Sequence, residues 1–126
     1  MLKKPKNKPR VFKTAWFAKA AKKASITDVM LCRAIAQVMK GQADDLGAGV
    51  YKKRLNDNLH RSIILAKAGQ WWIYQYLFAK QDRANIQSDE LAQFRALAKV
   101  YAQLTRAQLD ELIEDKEFLE ICDDQQ

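Results

Sequence analysis

Between Val50 and Ala79 the chain spells three β segments in a row, joined by connections too short for anything but antiparallel neighbours. The first is Val50–Leu55. Asn56-Asp57-Asn58 is a turn. The second is Arg61–Ala66. Ala68-Gly69-Gln70 is a hairpin signal, and the third segment, Trp71–Ala79, is dense in aromatic and β-branched residues. Two successive hairpins make a meander, and the rest of the chain must pack on it.

The flanks read as helices. Val11-Phe12-Lys13 is a short strand, after which Thr14 caps a helix running through Trp16, Phe17, Ala20 and Ala21. Thr27 or Ser25 caps a second helix whose stripe is Leu31, Ile35, Val38 and Met39, with Gly41 placed to stop it. Residues 42–49 are turn-like. Ser88, followed by Asp89 and Glu90, opens a third helix with Leu91, Phe94, Leu97, Ala98 and Tyr101 as its buried stripe. A capping box at Thr105–Gln108 starts a last helix through Leu109, Leu112 and Ile113. The order β-αα-βββ-αα predicts an α+β domain: a small, mostly antiparallel sheet with the helices on one face. Residues 1–10 form a flexible basic arm, and 11–126 form a single domain ending in a helix pair.

The 126 residues carry 22 Lys/Arg and 15 Asp/Glu, a net charge of +7, but the distribution is uneven. Residues 1–106 hold 21 cations and 7 acids, or +14; residues 107–126 hold one cation, Lys116, and eight acids, or −7. A body this basic attracts polyanions, phosphate backbones foremost. The acidic end reads as a solvated helix terminus. No apolar run approaches the ~20 residues of a membrane span, and no apolar stretch follows the basic N-terminus as a secretory signal would. Cys32 and Cys122 are far apart in unlike contexts, neither a disulfide framework nor a metal-ligand spacing. Cys32 reads as a packed thiol, and the expected compartment is a reducing cytoplasm.

The chemistry-bearing residues are few. His60 is the one histidine, and HExxH, CxxC, P-loop, GxGxxG and Gly-x-Ser-x-Gly patterns are absent from the sequence. What remains is a cluster of cations. Alternation places Lys52 and Arg54 on one face of their strand and Lys53 on the other with Tyr51 and Leu55. Arg61 follows after a short turn and falls near Arg54 or Lys53. Lys80 ends the third strand and Arg83 comes just after. If that strand is regular, Trp72, Tyr74, Tyr76 and Phe78 share a face with Lys80, and either face is apolar enough for core. Cations with aromatic rings on a sheet suit single-stranded RNA; a solvated basic surface over an aromatic core is the plainer alternative.

Three stretches carry a resemblance: Asp45–Leu55 (DLGAGVYKKRL), His60–Ile64 (HRSII) and Phe78–Ile86 (FAKQDRANI). Together with the opening Val11–Thr14 and the final helix pair, they resemble the RelE/HigB-like toxins of bacterial type II toxin–antitoxin modules, in the RelE/ParE superfamily. The resemblance implies a RelE-like fold and a cytoplasmic toxin that cleaves mRNA on the ribosome. It implies no metal or cofactor, and a cognate antitoxin as partner alongside ribosome and mRNA, with no membrane. Lys52, Lys53 and Arg54 match the family's basic strand, Arg61 its strand-borne arginine, and Lys80 and Arg83 the basic pair at the last strand's end. Many relatives carry a longer glycine-rich loop before the arginine, with Gly-Tyr-Arg where this chain has Leu59-His60-Arg61, so His60 is not a matched residue. In the catalytic assignment that follows, Arg61 stabilises the phosphorane and Lys80 or Lys53 handles a proton, while Lys52, Arg54 and Arg83 bind the RNA backbone. Two other readings use the same residues: a non-enzymatic ParE-like inhibitor of DNA gyrase, and a basic RNA- or DNA-binding module.

Overall fold

The structure, a computed structural model, describes residues 9–67 and 69–123. The first eight residues of the expected basic arm lie outside that range; Arg10, its last, already belongs to a strand. In chain order the elements are β1 (Arg10–Thr14), α1 (Ala15–Lys23), α2 (Asp28–Met39), β2 (Asp44–Gly47), β3 (Val50–Leu55), β4 (His60–Lys67), β5 (Trp71–Ala79), α3 (Ser88–Ala102), α4 (Arg106–Glu114) and β6 (Phe118–Ile121). One six-stranded sheet runs β2-β3-β4-β5-β1-β6. The α+β class and the mostly antiparallel sheet are as the sequence predicts; β1 alongside β5 is the parallel pair, with Arg10 opposite Trp71 and Lys13 opposite Tyr74. Thr14, Thr27 and Thr105 cap α1, α2 and α4 through their side-chain oxygens.

Two strands and one layer differ from the expectation. β2 forms inside the turn-like stretch and pairs with β3, and β6 forms inside the acidic end and pairs with β1. The end is therefore not a solvated helix terminus: Phe118 and Ile121 are core residues, and Glu120 accepts two hydrogen bonds from Arg10 at 2.8 Å. Nor do the helices share one face. Phe17, Ala21, Leu31, Ile35 and Val38 of α1 and α2 pack with Leu55, Ile64, Tyr74 and Leu77. Leu91, Phe94, Leu97 and Ala98 of α3 pack with Val50, Ile63, Leu65 and Phe78 on the reverse, and Leu109 of α4 joins Phe12, Trp71 and Ile73. The physical reason is legible at Ile63-Ile64-Leu65, all at 0% exposure: three consecutive apolar residues in a strand must face apolar layers on both sides. The α1–α2 crossover covers one face, so the α3–α4 connection takes the other.

β5 is also not regular. Ile63 stands opposite Tyr76 and Ile64 opposite Tyr74, which leaves Gln75 as a bulge residue. The extra residue reverses the alternation. Trp72 and Tyr74 face α1 and α2, whereas Tyr76 and Phe78 face α3, so the four aromatics expected on one face are split. Gln75 itself accepts a hydrogen bond from the Tyr101 hydroxyl at 3.2 Å. Trp16, expected in the α1 stripe, is 52% exposed and stacks on Tyr76 with ring centroids 5.2 Å apart.

The cysteines overturn another expectation. Cys32 of α2 and Cys122 just after β6 form a disulfide across 90 residues, with Cα atoms 5.6 Å apart. Nothing in their spacing announces it; the fold brings the edge strand β6 round to α2.

Candidate nucleic-acid interface

The cations gather around the turn end of β3 and β4. The β3–β4 turn is built from Asn56, Asp57 and Asn58, all in the left-handed region with φ of 54°, 52° and 72°. Asn and Asp tolerate that conformation better than other side-chain-bearing residues. Such a turn aims its carbonyls inward, and the Arg61 Nη1 donates to Asn58 O at 3.0 Å and His60 O at 3.2 Å. Arg61 is buried except for 8% of its surface.

Arg54 stands directly opposite Arg61 in the β3–β4 ladder and is exposed. Directly opposed residues of an antiparallel pair share a face, with Cβ atoms roughly 4.5–5.5 Å apart, and like charges there are destabilising. Neither arginine has a carboxylate within 4.0 Å among the described residues. Two arginines opposed across a ladder without a counter-ion are a conflict that a bound anion resolves, bidentately if it is a phosphate. Lys52, two residues along β3, lies on the same face. Its Nζ donates to Asn85 Oδ1 at 3.3 Å and is 3.8 Å from Asp44.

Arg83 lies beside this group but is fully engaged. Its Nη1 donates to Tyr76 Oη at 3.3 Å and to Glu90 at 3.0 Å, its Nη2 to the other Glu90 oxygen, and its Nε to Asn85 O at 3.1 Å. The guanidinium also rests 5.5 Å from the Phe78 ring centroid. The Glu90 carboxyl is held below its ordinary range, first by Arg83 and then by the Gln87 N–H, while Glu90 raises the arginine in turn. Arg83 thereby pins the β5–α3 connection against the sheet and presents Asn85 to Lys52.

Two of the expected residues stand apart. Lys53 points to the α2 side of the sheet, where its Nζ donates to Gln42 O at 2.9 Å and partial burial lowers its pKa. It lines a cavity of about 350 Å³ at the β2 edge that Arg54 also reaches. Lys80 is exposed at the end of β5, its backbone N–H bonded to Leu59 O at 2.9 Å. The structure thus joins Arg54, Arg61, Lys52 and Arg83 on one face, sets Lys80 at its end and leaves Lys53 behind. Sequence reasoning missed Glu90, Asn85 and Trp16. An acid in the first turn of α3 is a signal for helix capping rather than for an arginine anchor, and an aromatic beside Phe17 in an apolar helix reads as core rather than as surface.

Compared with protein families, residues 9–121 match the one described as RelE toxin of RelE / RelB toxin-antitoxin system. The chain belongs to the RelE toxin family. No curated protein and no solved structure matches it. As a RelE-family toxin, it has an antitoxin for partner, and in the described residues no helix is long and apolar enough to cross a membrane. The matched residues run from β1 through β6.

Proposed function

We propose that this RelE-family toxin is an mRNA endoribonuclease that acts on the translating ribosome in the cytoplasm. The observation that carries the reading is the unpaired Arg54–Arg61 juxtaposition on one sheet face. It is a site for one phosphodiester, with Lys52 extending the positive potential along the backbone. The 2′-oxygen of the ribose attacks the adjacent phosphorus, the P–O5′ bond breaks, and the products are a 2′,3′-cyclic phosphate and a 5′-hydroxyl. One proton leaves the 2′-oxygen and one reaches the 5′-oxygen. Arg54 and Arg61 hold the non-bridging oxygens as charge accumulates in the phosphorane, and Arg61, fixed by two carbonyls, is already in place before the transition state forms. Lys80, at the open end of the same face, handles a proton. Lys53 is separated from Arg61 by the sheet and contributes at the β2 edge. Arg83 orients the backbone indirectly, through Asn85 and Lys52.

The alternative of a gyrase inhibitor has no use for two facing arginines, and a plain RNA-binding module needs no fixed phosphate geometry. Primer extension on mRNA after induced expression tests the reading. Discrete cuts that vanish when translation is blocked, and that Arg54→Ala and Arg61→Ala each remove, are the expected result. Toxicity without cuts, or cuts unaffected by both substitutions, would overturn it.

A further inference from the structure

The Cys32–Cys122 bond sits where it can open and close without rebuilding the fold. It ties α2 to the residue after β6, with Cα atoms 5.6 Å apart, so the folded backbone already holds the two cysteines at bonding distance. Both are half-buried at the rim of the core under α1 and α2, within reach of a thiolate arriving from solvent. They are also the two cysteines of the sequence, so exchange within the chain has one product, this bond.

A switch needs two folded states, and β6 keeps its place through contacts that involve no sulfur. Residues Val11 to Thr14 of β1 pair with Ile121 to Phe118, both ends of β6 are buried, and Arg10 donates twice to Glu120. What the bond adds is local. Cys122 has φ 62°, in the left-handed region that residues with a Cβ avoid, and the link to α2 is one of the constraints on it. With the bond open, that residue is free to leave the conformation. β6 is an edge strand and is then held by β1 from one side, the arrangement from which a chain frays and proteolysis starts.

We infer that Cys32 and Cys122 form a thiol–disulfide exchange site for glutathione-type thiols and dithiol reductants, and that its state sets how long the free toxin survives proteolysis. Opening is a two-electron exchange. The reductant's two thiols give up two electrons and two protons and close to a disulfide, the Sγ–Sγ bond breaks, and Cys32 and Cys122 each end as a thiol. A reducing cytoplasm favours the open form; an oxidised glutathione pool reverses the exchange and prolongs the toxin. The inference stands apart from the RNA-cleavage reading, because it concerns the toxin's lifetime and not its target.

The full-length toxin, free of antitoxin, is equilibrated in glutathione buffers running from a cytosolic to an oxidising ratio. Alkylation followed by mass measurement counts its thiols, and subtilisin digestion gives its half-life at each ratio. Two thiols are expected at the cytosolic ratio and none at the oxidising one. The bonded form is expected to last roughly tenfold longer or more, because digestion follows the population of opened chains. Cys32→Ala/Cys122→Ala should keep the short half-life at every ratio, which separates the bond from any effect of the buffer on the protease. A bond that stays closed at every ratio, thiols that never pair, or equal half-lives for the two forms would each overturn the inference. None of these results bears on the nuclease reading, which primer extension decides separately.

Discussion

The Cys32–Cys122 bond closes a loop of 90 residues, most of the described chain. Cross-linking residues that far apart lowers the entropy of the unfolded chain, and the chain-entropy relation gives about 4.6 kcal/mol at 25 °C for a loop of that length. The native state is locally well prepared to keep β6 without the bond: Phe118 and Ile121 are buried, and Glu120 is paired with Arg10. The folded structure should therefore survive reduction, with the loss appearing as stability. Urea unfolding followed by fluorescence of the buried Trp71 measures it. Oxidised protein is expected to exceed the Cys32→Ala/Cys122→Ala variant by about 3–5 kcal/mol, and a reductant is expected to lower the oxidised protein to the level of the variant while leaving the variant unchanged. Equal midpoints with and without reductant, or two titratable thiols in protein unfolded without reductant, would refute the reasoning. The same bond bears on the compartment. A reducing cytoplasm keeps such a pair as thiols, so the toxin there would work from the less stable form.

Other measurements probe other parts. Glu90 has a folded pKa below its ordinary value of ~4.3, so its contribution to stability is complete above that value and is lost as the pH falls through the lower folded pKa. Carboxyl NMR should show Glu90 titrating below its free value, Arg83→Ala should restore it toward that value, and Glu90→Gln should flatten the acid limb of stability against pH. Gly49 has φ +84°, and a Cβ there would lie 2.8 Å from Ala66 O. Gly49→Ala should cost about 2 kcal/mol or more in denaturant unfolding, from the left-handed backbone and from a clash with backbone that has no side chain to move. Tyr74→Phe removes the buried hydrogen bond to Leu31 O at 2.7 Å. A loss near 1 kcal/mol is expected, because the Leu31 carbonyl keeps its place within α2; a loss above 3 kcal/mol would contradict that. Deleting Gln75 should cost little more in denaturant unfolding than Gln75→Ala, since removing the bulge residue leaves Tyr74 and Tyr76 as neighbours on opposite faces, the layers they already occupy.

The meander, the Thr14 and Thr105 caps and the sharing of a face by Lys52 and Arg54 were legible because each depends on residues a few positions apart. Turn length fixes antiparallel pairing, a hydroxyl reaches the third N–H of its own helix, and alternation sets faces within one strand. The likeness to RelE-type toxins was carried by such local strings, which is why it was readable without coordinates. What joins distant positions was not legible. The sequence puts Arg61 near Arg54 or Lys53; only the pairing of β4 with β3 sets it against Arg54 and leaves Lys53 on the far side of the sheet. Alternation along β5 predicts one aromatic face, and the bulge at Gln75 divides it, since a bulge is fixed by the partner strand rather than by its own residues. The acidic end reads as solvated because its charge is visible in the sequence and its partner, Arg10, 110 residues away, is not. Local chemistry thus determined most of the elements and the basic character of the surface, whereas the order of strands, the two-sided burial, the disulfide and the meeting of two like charges came from long-range packing, whose free energy no short window of sequence contains.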